Sequence, residues 1–63
     1  MVKNVYIFRI FKGEEVVGVF LQYCTEDEAK ERANALCTER ESINYLIAND
    51  IEIQAGRMAG AIA

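Results

Sequence analysis

The groups on this chain that could do chemistry are two thiols, a set of carboxylates, and two cations set among aromatics. Cys24 and Cys37 stand thirteen residues apart in a chain with no His. That removes zinc-finger spacing, a Ser-His-Asp or Cys-His nucleophile pair, and a His proton shuttle. Both cysteines sit on apolar patterns, which predicts buried, inert thiols, with a bridge open only if they meet in space. The acids cluster at Glu14 and Glu15 and in the run Glu26-Asp27-Glu28 with Glu31 behind it. On a turn and an exposed helix face, water levels such groups, so no acid and base partners separate. Tyr6, Phe8, Arg9 and Lys12 could stack single-stranded bases on a sheet. The recurrent RNA-binding sheet fold needs four strands and two helices, however, and strand-one aromatics are core residues far more often. Glycines 13, 18, 56 and 60 lack the spacing of a phosphate loop. The chain therefore reads as non-enzymatic, with no catalytic, cofactor-binding or metal-binding residues.

The elements that must position these groups are few. Sixty-three residues and 7.1 kDa make one domain at most, and such a domain buries only about 60 % of the surface its unfolded chain exposes. A composition 52 % hydrophobic supplies apolar surface for tight packing or for oligomerisation. The net charge of −3 argues against nucleic acid, whose phosphates call for a basic partner, yet the acids are too sparse for a DNA mimic. No apolar run reaches a membrane span, and the first residues are not followed by a signal-peptide core, so a cytoplasmic protein with reduced thiols is expected.

Residues Asn4 to Phe11 and Val16 to Cys24 are rich in β-branched and aromatic types and flank Lys12-Gly13-Glu14-Glu15, which predicts an antiparallel hairpin. Thr25 with Glu28 forms a capping box for a helix over about Glu26 to Glu39, whose narrow stripe is Ala29, Ala33, Leu36 and Cys37. From Ile43 to Gln54 both a helical and an alternating period fit. The strand is preferred because Asp50 and Glu52 fall between isoleucines, with Asn49-Asp50 as a bulge or turn. The alternative is a short helix over Ser42 to Ala48 followed by a strand over Ile51 to Gln54. The expected fold is α+β, ordered β-β-α-β over residues 1–54, with the helix on one face of a three-stranded sheet. Residues 55–63 are expected to form a flexible tail, or one that docks on a partner through Met58 and Ile62.

Both faces of the hairpin are apolar in either plausible register, since a register shift moves side chains between faces without making either one polar. Val17, Val19, Leu21 and Tyr23 share a face and are assigned to the helix. Val16, Phe20 and Cys24, with Phe11 and Arg9 if Phe11 pairs with Val16, then form an uncovered second face. An apolar face left bare on so small a chain predicts a contact surface, most simply with a second copy. The predicted interface is therefore Val16, Phe20, Cys24, Arg9 and Phe11 of a homodimer.

The runs V-Y-I-F-R-I-F-K-G-E-E-V-V-G-V-F, T-E-D-E-A-K-E-R-A and Y-L-I-A-N-D-I-E-I give a layout that resembles small β-β-α-β proteins of phages and other mobile elements. That resemblance implies a small inhibitor or adaptor of a host protein and carries no catalytic motif. The alternative function is a nucleic-acid-associated or regulatory protein whose basic surface, Lys3, Arg9 and Lys12, assembles only in an oligomer.

Overall fold

A computed structural model describes residues 1–60. The chain runs β1 (Asn4–Lys12), β2 (Glu15–Cys24), α1 (Glu26–Leu36), β3 (Ser42–Ile47) and α2 (Asp50–Ala59). It is a small α+β fold with β1 at the centre of a three-stranded antiparallel sheet, in the order β2-β1-β3.

Lys12 pairs with Glu15 across a two-residue turn, Gly13-Glu14, in which Gly13 alone takes positive φ, at 66°. That pattern belongs to the type II′ hairpin turn, whose first central position favours glycine. Phe11 pairs with Val16 as one of the two sequence registers requires, but Ile10 pairs with Gly18, so β2 carries one extra residue, Val17. This β-bulge exchanges the faces of β2 relative to β1 for the rest of the hairpin. Beyond it Phe20 lies opposite Phe8, while Val19, Leu21 and Tyr23 stand opposite Arg9, Ile7 and Val5.

The two faces consequently carry two small cores. Tyr6, Phe8, Cys24 and Ala29 pack together on one, joined by Phe20, Ile43 and Tyr45. Phe8 is fully buried, its ring stacked on Phe20 with centroids 4.6 Å apart, and Tyr6 meets Tyr45 edge-on at 6.1 Å. Helix α1 closes this face through Ala29 and Ala33, residues small enough to bring it near the sheet, and it packs against β3 and β1. Its capping box is in place. Thr25 Oγ1 accepts from the Glu28 N–H at 3.2 Å, and Glu28 Oε1 accepts from the Thr25 N–H at 3.2 Å. The helix stops at Leu36, three residues short of the expected end.

Ile7, Leu21 and Ala48 form the second core, with Val5 and Ile53 against it. A second helix covers this face, which corrects the expectation of a single helix. Asn49 and Glu52 make a second capping box, with the Glu52 N–H donating to Asn49 Oδ1 at 2.8 Å and the Asn49 N–H to Glu52 Oε1 at 3.1 Å. The Asn49-Asp50 pair is thus a helix start where a strand with a bulge was expected, and strand precedes helix, the reverse of the alternative order. Residues 55–59, expected to be a tail, are the second half of α2, which ends on Gly60 at φ 67°. Ile62 lies outside the described residues.

Candidate interaction surface

The structure divides the five residues expected to form one interface. Cys24 is 1 % exposed in the α1-side core, and Phe20 is half-buried there against Phe8. Arg9 and Phe11 are half-buried, and of the five only Val16 is exposed, at 46 %. The expectation placed the Val19, Leu21 and Tyr23 set under α1. The bulge and α2 reverse this, because α1 covers Phe20's side and α2 covers Leu21's.

Arg9 is tied down. Its Nη2 donates to Glu52 Oε2 at 2.8 Å, with both side chains partly screened from water. Glu52 therefore serves α2 twice, one oxygen closing the helix start and the other reaching back to the central strand. With that contact the basic set Lys3, Arg9 and Lys12 loses its middle member.

The thiols also divide. Cys24 is buried as expected, and its pKa is raised first by desolvation and then by the nearby Glu28 carboxylate, with Lys3 opposing, so it stays protonated and unreactive. Cys37 is exposed, contrary to expectation, and both cysteines are free. Glu28 is held below the ordinary carboxylate range, first by the Thr25 N–H and then by the Thr25 hydroxyl. That is a capping effect and not an acid-base site.

Two open hollows mark the surface. One, of about 470 Å³, is lined by Tyr6, Glu26, Tyr45, Leu46 and Ile47, and the other, of about 410 Å³, by Asp50, Ile53, Gln54 and Arg57. Neither brings a thiol or a cluster of carboxylates together. Among the described residues no group of His, Cys, Asp and Glu could hold a metal ion, and no helix is long and apolar enough to cross a membrane.

What remains is apolar surface that neither helix covers. On the α2 side Val19 and Tyr23 of β2 are 52 % and 57 % exposed, and Leu46 of β3 is 56 % exposed. Ile51, Ala55 and Met58, spaced by four and three, share the outward side of α2 and are exposed. Sequence reasoning grouped Val19 and Tyr23 correctly but assigned them to the core. Alternation cannot separate them from Leu21, which shares their face and is buried. No family model, curated protein or solved structure matches the chain.

Proposed function

We propose that this protein acts by protein–protein contact, without catalysis, and that it works as a homo-oligomer. The observation that carries the reading is the persistence of Val19, Tyr23, Leu46, Ile51 and Met58 as large, more than half exposed apolar side chains after both sheet faces have received a helix. Side chains of this kind, set along an open sheet edge and an outward helix stripe, suit a binding surface. A small inhibitor or adaptor of a host protein is the form of this function that the phage-type layout implies. The nucleic-acid alternative has less support, since Arg9 is engaged by Glu52 and the net charge is −3.

Sedimentation equilibrium over a micromolar concentration range tests the reading. The expected result is a mass that rises from 7.1 kDa toward a multiple of it. A single 7.1 kDa species throughout, in a chain that unfolds cooperatively, would remove self-association.

A further inference from the structure

We infer that the occupant of the β2 edge is the β2 edge of a second copy, paired antiparallel about a two-fold axis through Leu21. This rests on the self-association reading above and names its surface and register. Because β1 is central, one side of β2 has no strand beside it among the described residues. A bare edge presents a row of unpaired backbone donors and acceptors, which proteins usually protect with charge, proline or a bulge. On β2 the bulge lies at Val17, and the stretch beyond it, Gly18 to Cys24, is regular in its pairing and reads G-V-F-L-Q-Y-C, with no charge and no proline.

The register follows from symmetry and from the exposed side chains. In an antiparallel two-fold pair the axis is perpendicular to the sheet and passes between two identical residues. Centring it on Leu21 pairs all seven regular residues and leaves both bulges outside. Val19 of each copy then lies directly opposite Tyr23 of the other, on the α2 side. These are the β2 side chains past the bulge that stand more than half open, and a β-branched residue opposite an aromatic is a favourable cross-strand pair. Each single-chain exposure is thereby covered by the other.

Two further observations favour this edge. Helix α1 packs against β3 and β1, so pairing through β3 would bring together two helices that each present Glu26, Asp27, Glu28 and Glu31. Pairing through β2 keeps them apart. The chain also exposes 4767 Å², roughly 700 Å² more than the average of about 4,100 Å² for a monomer of its mass. Met1 and Val2, 100 % and 80 % exposed, supply part of that excess, and the whole is close to the roughly 800 Å² that each partner contributes to a standard interface.

Cysteine pairing reads the register directly. In a Cys37→Ser background the double variant Val19→Cys, Tyr23→Cys should form a covalent dimer under mild oxidation. Directly opposed antiparallel residues lie about 4.5–5.5 Å apart at Cα, inside the disulfide range. Within one chain the two positions are about 13 Å apart and cannot bridge. Either single variant in that background should stay uncrosslinked, since identical positions are offset across the axis. Val19→Lys, at a position already half open, should keep the circular dichroism of the parent and raise the dimer Kd roughly tenfold or more, whereas Leu46→Lys on the other edge should leave it unchanged. Crosslinking by Val19→Cys alone would move the axis and overturn the register. A dimer in sedimentation that neither crosslinks in the double variant nor responds to Val19→Lys would overturn the β2 edge while leaving self-association standing. A 7.1 kDa species at every concentration would overturn both.

Discussion

Removing the Glu52 carboxylate should release α2 from the sheet at a cost that can be worked from its two contacts. Isolated helices shorter than about 12 residues are marginal in water, so the ten residues of α2 depend on their cap and their docking. Glu52 supplies both, through Oε1 to the Asn49 N–H at 3.1 Å and Oε2 to Arg9 Nη2 at 2.8 Å. The cap carboxylate at a helix start contributes about 0.3–1 kcal/mol. The ion pair has side chains 33 % and 23 % exposed, which places it near the top of the roughly 0.2–1 kcal/mol range of surface pairs. Glu52→Ala should therefore cost about 1–2 kcal/mol, a large share of the roughly 3–9 kcal/mol available to a chain of this length. Urea unfolding followed by circular dichroism measures the total. Hydrogen exchange should show the loss first in the amides of α2. A double-mutant cycle with Arg9→Ala isolates the bridge, expected at about 0.5–1 kcal/mol and weakened in high salt. Additivity of the two variants within about 0.3 kcal/mol would show that the bridge contributes nothing and that α2 is held by its cap and its apolar packing.

The remaining predictions concern the caps, the turn and the thiols. Thr25→Ala should cost roughly 0.5–2 kcal/mol, read by thermal unfolding, because the first turn of α1 loses its side-chain acceptor. The folded-state pKa of Glu28 lies below its ordinary value of 4.5, so its contribution is present above that pH and lost as pH falls through the lowered value. Glu28→Gln should flatten the acid limb of the stability curve, and an unchanged limb would contradict the assignment. Gly13→Ala should destabilise by about 1–2 kcal/mol at a positive φ. Gly18→Ala, whose Cβ would meet Ile10 at an ordinary 3.5 Å, should raise stability by about 0.4–1 kcal/mol in the same denaturation assay. A thiol reagent should label Cys37 rapidly and Cys24 only on unfolding.

Much of the fold can be read in the residues. The aromatic and β-branched runs on either side of Gly13 are the hairpin, and Thr25 with Glu28 is the start of α1, because both signals are local and chemically specific. The bulge at Val17 is different. It decides which side of β2 meets which helix, and no residue type at Val16-Val17-Gly18 announces it. The second helix did leave a signal, since Asn49 and Glu52 have capping-box spacing. Isoleucines 47, 51 and 53 outweighed it, because β-branched residues alternating with acids favour a strand when propensity alone is counted. In the fold, burying Ala48, Ile53 and Gly56 against the open sheet face outweighs that preference. The interface residues were misplaced for the same two reasons: the bulge turns Phe20 and Cys24 toward α1, and α2, half of which was expected to be a tail, covers the Leu21 side that had been assigned to α1.

Hydrogen exchange of the β2 backbone at increasing protein concentration tests the contact reading most directly, because it asks whether another chain closes the edge. Outward-facing amides of Gly18 to Cys24 should gain protection from low to high micromolar concentration, in step with the rise in sedimenting mass, while the outward amides of β3 exchange as before. Protection that stays constant across that range for both edges, with the mass fixed at 7.1 kDa, would contradict the account.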